Sequence, residues 1–508
     1  MALNIAIDRS SETPLYLQIS RALRELILSG GLLEGLHLPP ERRLAQDLGV
    51  NRSTVLAAYR ELKSEGLLDA RVGRGTAVAP RRGTAPRAVT ATSAPQLPWH
   101  QLARPTAAKA EDPLLRDLLE LTERRDAISL SIGLPAPEHL PLRELHEIER
   151  ELFAEVGAAV LQHSPTEGIT PFRETLGQHM ATRGAACSAP EVMVTSGSQQ
   201  AIDLVARAFL EPGDAVAVEA PSFFGALQVF RAAGARLLGV PADEQGMRTD
   251  LLESLLQRQR PKLIYTLPTF QNPAGHVMSL ERRRHLLDLA YRFQVPVLED
   301  DPYSDLRYDG AALPSVKALD GHGHVIYVSS FSKALFPGLR IGWIAAPRPV
   351  IRRLALAKQS VDLHSSTLGQ WLIDRFVRQG GLERHLRTVR AAYAKRRDAM
   401  LEALKAQALP GVTYVRPDGG FYFWCRLPET VAPARLLSRA AEERVSFLPG
   451  TPFFCEETGQ NHVRLSFSGA TPRRIREGIA RFARAFAAAS SRGARGGEAD
   501  VIGTAPIV

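Results

Sequence analysis

The sequence predicts a multi-domain protein: a small helical domain closed by a β-hairpin, a linker, and a large α/β domain whose mostly parallel sheet adjoins a smaller α+β part. Three observations predict it. At 508 residues the chain exceeds the roughly 250–300 that one hydrophobic core serves. Residues 83–110 break the composition: they are rich in Ala, Pro and Thr, with four prolines, three basic side chains and no acidic one. Beyond Ala127, apolar runs of strand length alternate with helical periods, as in a parallel sheet with crossover helices.

Composition narrows the class. With 45% hydrophobic and 23% charged residues, dominant disorder is excluded. No apolar run approaches the roughly 20 residues that span a bilayer, and MALNIAIDRS lacks the regions of a signal peptide. A cytoplasmic protein without membrane contact is therefore expected. Cys187, Cys425 and Cys455 lie far apart with no ligand spacing, so neither a disulfide framework nor a metal site is expected. The net charge of +9 is compatible with a polyanionic partner but mostly reports solubility.

The elements of the first 82 residues follow in order. Pro14 opens an amphipathic run with Leu15, Ile19, Leu23, Leu26 and Ile27 at helical spacing, ended by Gly30 and Gly31. A second helix, Glu41 to Leu48, follows LPP. Gly49 makes a turn, and Asn51 or Ser53 caps a third helix that runs through Lys63 and is closed by Gly66. LLDARVGRGTAV then alternates around Gly73 and Gly75 as a hairpin does. Helix, turn, capped helix and hairpin make a winged helix-turn-helix. Recognition helices enter the major groove by their N-terminal end, here Arg52, Ser53 and Thr54. Arg42 and Arg43 flank the DNA backbone in this reading, and Arg74 at the wing tip reaches phosphate or minor groove. Residues 1–82 hold 12 basic and 9 acidic side chains, so the reading rests on where the arginines stand.

Residues 83–110 show no sustained period and read as a linker, partly extended by proline, the alternative being an ordered arm anchored by Trp99. A large domain spans 111–487. Its large part covers about 150–375, and its small part comes from the flanks 111–149 and 376–487. The small, glycine-rich stretch 488–508 reads as a flexible tail.

Five motifs in the large domain close strand-like runs. VMVTSGSQQAIDLVARAFL places Gly197, Ser198 and Gln199 at a helix N-terminus, where free N–H groups favour a phosphate. AVAVEAPSFFG ends in Phe223 and Phe224, KLIYTLPTFQNPAG in Asn272, and VPVLEDDPYSDL in Asp300 and Tyr303. VIYVSSFSKALFPGLRIGW carries Ser330, Ser332, Lys333 and Arg340. Strand ends are where open α/β sheets bind ligands. One chemistry uses the whole set. A lysine forms a Schiff base with an aldehyde cofactor, and a carboxylate holds the cofactor's ring nitrogen protonated. Asparagine and tyrosine bond its 3-oxygen, an aromatic ring stacks on it, and a cup of small polar groups takes its phosphate.

These motifs resemble fold-type I pyridoxal 5'-phosphate enzymes of the aspartate aminotransferase superfamily, over roughly residues 111–487. The resemblance implies Lys333 as the catalytic lysine, Asp300 on the pyridine nitrogen, Asn272 and Tyr303 at the 3-oxygen, and Phe223 stacked on the ring. It implies Gly197, Ser198, Gln199, Ser330, Ser332 and Arg340 around the phosphate. Arg464, in HVRLSF, matches the arginine that takes the substrate α-carboxylate. LQHSPTEGITPFR departs from the family pattern: His163 stands where a tyrosine usually reaches the neighbouring subunit's phosphate, and Ile169 replaces a second tyrosine. Phe223 stands where many relatives have tyrosine.

The first domain resembles the DNA-binding domain of GntR-family regulators over LLEGLHLPPERRLAQDLGVNRSTVLAAYRELKSEGLLDARVGRGTAV, which implies DNA contacts from Arg42, Arg52, Thr54 and Gly73. Together the two halves resemble the MocR/GabR group of bacterial regulators. That implies a homodimer with domain-swapped heads, an operator DNA partner, and an amino compound or the vitamin as effector. The rival reading is a working aminotransferase that keeps a DNA-binding head, since every catalytic group survives and SIGLPAPEHLP resembles 2-aminoadipate-type enzymes. A third, a cofactor-dependent scaffold, requires NRSTV and the wing to be vestigial.

Overall fold

A computed structural model describes residues 5, 7–9, 13–28, 31–71, 75–79, 127–456 and 461–490. The chain divides into two compact units, Met1–Lys109 and Ala110–Val508.

In the first unit, helical spacing puts Ile19, Leu23 and Ile27 on one buried face of α1 (Leu15–Leu28). They pack with Leu44 and Ala45 of α2 (Glu41–Asp47) and with Val55, Ala58, Tyr59 and Leu62 of α3 (Arg52–Ser64). Asn51 is the N-cap of α3, its side chain accepting from the Ser53 N–H at 3.4 Å. Strands β1 (Leu68–Arg71) and β2 (Gly75–Val78) pair antiparallel, and their buried ends Leu68 and Val78 close the same core. This is a winged helix-turn-helix. Gly73 and Arg74, expected in the wing, lie outside the described residues, as do the linker 83–110 and Trp99.

The second unit is built on an eight-stranded sheet. After a short β3 (Ile128–Ser129) come β4 (Val192–Thr195), β5 (Ala215–Ala220), β6 (Arg236–Asp243), β7 (Gly246–Met247), β8 (Leu263–Thr266), β9 (Val297–Asp300), β10 (Val325–Ser330) and β11 (Gly342–Ala345). Their order across the sheet is β4-β11-β10-β9-β8-β5-β6-β7. Strands β6, β5, β8, β9 and β10 run parallel, while β11 runs against both its neighbours and β7 against β6. Strands β4, β8, β9, β10 and β11 are buried at every position, which is why all but β9, which ends in Glu299 and Asp300, read in the sequence as mostly apolar runs. Helices cover both faces.

The smaller sheet has the order β12-β13-β16-β15, from β12 (Thr413–Tyr414), β13 (Tyr422–Arg426), β15 (Leu448–Pro449) and β16 (His462–Ser466). Between them, β14 (Val445–Ser446) pairs in parallel with β3, tying the early segment to the late one. Two expected boundaries shift. The divisions at 149/150 and 375/376 fall inside the helices Leu142–Glu155 and Thr367–Arg378. These helices pack on each other, so an apolar face continues across each division. The closing helix Pro472–Ser490 also continues past 487, because its alanine-rich end keeps helical propensity and Ala489 is buried. Residues 491–508 of the expected tail lie outside the described residues.

Candidate functional site

Parallel strands end at one edge of a sheet, so the loops after β4, β5, β8, β9 and β10 converge. Strand β11 runs the other way and begins where its neighbours end: Gly342 pairs with Ser330 on one side and with Thr195 on the other. Arg340, two residues before it, therefore reaches the same edge. A cavity of about 560 Å³ opens there, lined among others by Ser198, Phe223, Asn272, Asp300, Tyr303, Lys333 and Arg464. Seven of the residues singled out in the sequence thus share one cavity.

Asp300 closes β9 and is buried. Its Oδ2 accepts from the Tyr265 hydroxyl at 2.8 Å, whereas Oδ1 has no hydrogen-bond partner among the described residues. Burial pushes its carboxyl up to about 7, with Asp301 adding to the rise and Tyr265 and Lys333 opposing it. An orphaned carboxylate oxygen facing a cavity fits a cationic N–H. Lys333 reaches across to donate to the Gly133 carbonyl at 2.7 Å. Burial holds its ammonium below the ordinary lysine range; Tyr422 and Asp300 oppose that shift, and Arg464 and Arg340 reinforce it.

A second cluster adjoins the lysine. Arg340 Nη1 donates to Ser332 Oγ at 3.1 Å and Nη2 to the Ser196 carbonyl at 3.3 Å, and the Ser330 hydroxyl donates to Ser332 Oγ at 2.9 Å. Gly197 has φ +88°, and a Cβ there would overlap the Arg340 guanidinium, so this turn admits only glycine. It leads into the helix Ser198–Phe209 (α4), whose N-terminus offers unpaired N–H groups. The cup fits a phosphate. Gln199 contributes differently from expectation: its side-chain amide donates to the Gly225 carbonyl at 2.9 Å, anchoring the loop that carries Phe223. His163 is not drawn into the cavity. It is exposed and shares a 2.9 Å hydrogen bond with His364.

Arg464 is buried on β16, where its Nη1 donates to Asn272 Oδ1 at 2.7 Å and its Nη2 to the Ser131 carbonyl at 2.8 Å. Its Nε has no partner, and no carboxylate among the described residues forms an ion pair with it. An uncompensated buried guanidinium favours an incoming anion. With Oδ1 of Asn272 taken, the amide of that side chain is left to donate.

Tyr422 is the residue the sequence does not single out. Its ring lies 4.0 Å from the Arg464 guanidinium, and its hydroxyl is 2.9 Å from that of Tyr303. A Cβ on Gly133 would overlap that hydroxyl. Burial resists ionisation of Tyr422, but Arg464, Lys333 and the Tyr303 bond outweigh it and hold the phenol below its usual range. In the sequence it sits in GGFYFW, among apolar residues that read as strand, and only its place beside Arg464 reveals it. Ser131 and Gly133 were hidden likewise in an irregular segment after β3.

On the first unit, Arg42, Arg52 and Ser53 are exposed and Thr54 half-buried. Arg52 and Ser53 occupy the first turn of α3, and Arg52 is held at 3.2 Å from Glu41 of α2, an exposed pair of little stability worth that DNA can displace. Arg43 pairs within α2 with Asp47.

Comparison with known proteins agrees with this geometry. Residues 86–482 match the family model of aminotransferase class I and II, and residues 15–78 that of the gntR family of bacterial regulatory proteins. The chain belongs to the aminotransferase class I and II family. The chain is 34% identical to the uncharacterized HTH-type transcriptional regulator YisV of Bacillus subtilis, over 93% of this chain and 96% of that one. It is 30% identical to the probable rhizopine catabolism regulatory protein MocR of Rhizobium meliloti, over 96% and 97%. The kynurenine aminotransferase of Pyrococcus horikoshii superimposes with a TM-score of 0.74 at 40% identity, covering 77% of this chain and 98% of that structure. The HTH-type regulators thus match both units, and the enzyme matches one.

Proposed function

We propose that this chain is a DNA-binding transcriptional regulator whose aminotransferase-type unit holds pyridoxal 5'-phosphate and senses an amino compound or the cofactor itself. One observation carries the reading: the residues for cofactor and carboxylate meet in a single cavity of the second unit, while the first unit presents Arg52 and Ser53 at the exposed start of its recognition helix. Bound pyridoxal phosphate supplies an aldehyde that condenses with amines and a ring that withdraws electrons. Lys333 would hold that aldehyde until an amine displaces it. Asp300 Oδ1 would keep a proton on the ring nitrogen, Asn272 and Tyr303 would orient the 3-oxygen, and Phe223 would cover a ring face. Ser198, Ser330, Ser332, Arg340 and the N–H groups at Gly197 and Gln199 would take the phosphate, and Arg464 the α-carboxylate of the effector.

The chain acts as a homodimer in this proposal, with swapped heads that read two half-sites in the cytoplasm. Leu161 and Leu363, 63% and 57% exposed beside the His163–His364 pair, support a second copy on that face, which would bring His163 towards the partner's phosphate. Arg42, Arg52, Ser53 and Thr54 would contact DNA, and Gly73 and Arg74 would do so from the wing. A second reading has a specific support: Lys333, Asp300 and Arg464 line one cavity, the set that transamination with 2-oxoglutarate as acceptor would use.

One experiment addresses both. Lys333→Ala should abolish the visible absorbance of the bound cofactor and leave operator binding in the absence of effector intact. Arg52→Ala should weaken operator binding about 10- to 100-fold, as the loss of a base contact does, and leave the absorbance unchanged. An unaltered visible band in the lysine variant refutes its assignment. Turnover without any effect of amino compounds on DNA binding would favour the enzyme.

A further inference from the structure

Beyond its cofactor and carboxylate groups, the cavity has walls of one chemistry. Ile132 and Leu134 flank Gly133, whose carbonyl holds the Lys333 ammonium. Leu448, paired with Arg464 in the β15–β16 register, lines it too, as does Phe224, which lies edge-on to Phe453 at 5.6 Å. Phe453 in turn lies 5.1 Å from the Arg464 guanidinium. Gln228, polar and uncharged, is a further lining residue. Among the described residues that line the cavity, the cations are Lys333 and Arg464, and both already have tasks.

We infer that the effector is an α-amino acid with a neutral, apolar or aromatic side chain, a claim that rests on the sensing function proposed above. A carboxylate on Arg464 and an amine at Lys333 fix two of the three non-hydrogen substituents of its Cα. The third then falls against Ile132, Leu134, Phe224 or Leu448. A second carboxylate there would leave water for apolar walls that offer it no cation among the described residues, which disfavours it. An apolar side chain of four to seven carbons gains free energy from the same burial. An ω-amino acid that lacks an α-carboxylate leaves Arg464 uncompensated. A dicarboxylic amino acid, such as the 2-aminoadipate-type enzymes of the rival reading use, is thus the kind of ligand these walls disfavour.

The test titrates the full-length protein, loaded with pyridoxal phosphate, with L-phenylalanine, L-leucine, L-glutamate, L-2-aminoadipate and 4-aminobutyrate, following visible absorbance and operator binding together. The apolar pair should half-saturate at concentrations at least tenfold below the acidic pair, with 4-aminobutyrate weakest. Leu134→Arg, at a position 44% exposed and so tolerant of change, should narrow or reverse that gap. Equal or tighter binding of glutamate or 2-aminoadipate overturns the inference and leaves the sensing proposal standing. A response to 4-aminobutyrate alone overturns it too, together with the role of Arg464. Silence to all five, with cofactor bound, overturns the inference and leaves the cofactor itself, or an amine of another class, as what the proposed sensor reads.

Discussion

The charge state of Asp300 connects cofactor, stability and pH. Its folded carboxyl ionises near 7, against an ordinary value of 3.8, and burial is the main cause. Between those two pH values the folded chain keeps a proton that the unfolded chain has released, so stability falls as pH rises through the window. Glu219 and Glu299, both buried and pushed up to about 7, act in the same direction. A cationic ring N–H against Oδ1 reverses the effect for Asp300 alone, because it stabilises the ionised form. The cofactor-free protein should therefore lose stability as pH rises from about 4 to 7. Asp300→Asn should remove a share of that slope on the order of 2–4 kcal/mol. Loading with pyridoxal phosphate should flatten it in the parent protein and have little effect on slope in the variant. Melting temperatures across that range, with and without cofactor, measure this, and parallel slopes in parent and variant would refute the role of Asp300.

Elements carry separate obligations in the two units. Leu62 is fully buried near the end of α3, in a core made only of first-unit side chains. Leu62→Ala should cost about 2–5 kcal/mol and loosen the recognition helix. Operator binding should fall and early proteolysis of the first unit should rise, while the cofactor's visible band stays as it was. Loss of that band would show that the units do not hold separate cores. Most such elements were legible because burial imposes a pattern: one apolar stripe on α1, mostly apolar runs in β8 and β10, and Asp300 closing β9 with Lys333 and Asn272 in the loops after β10 and β8. What was illegible depends on contacts distant in sequence. The choice between Asn51 and Ser53 as cap needed the backbone angles. Gln199 sits correctly for a phosphate by sequence, yet its amide is held by Gly225. Tyr422 gains its place from Tyr303, 119 residues away, and from Arg464 on the neighbouring strand, and no period marks that.

At the scale of the molecule, the proposed regulation is a statement about free energy linking two sites on separate units. If an α-amino acid at Arg464 and Lys333 changes operator affinity by some factor, operator DNA must change the half-saturation of that amino acid by the same factor. A tenfold effect corresponds to about 1.4 kcal/mol, well within what one displaced lysine bond and one newly paired guanidinium can supply. The direction is free, so the chain can activate or repress, but the reciprocity is not. Measured on the same preparation, amino-acid titrations of visible absorbance with and without saturating operator DNA should shift by the factor found when operator titrations are run with and without the amino acid. Arg464→Lys should weaken amino-acid binding, because a point charge cannot grip a carboxylate through two parallel bonds, and leave operator affinity without effector unchanged. If DNA moves neither the absorbance midpoint nor its amplitude, the two units act independently. The cavity at the edge of the sheet is then an enzyme's active site rather than a sensor's.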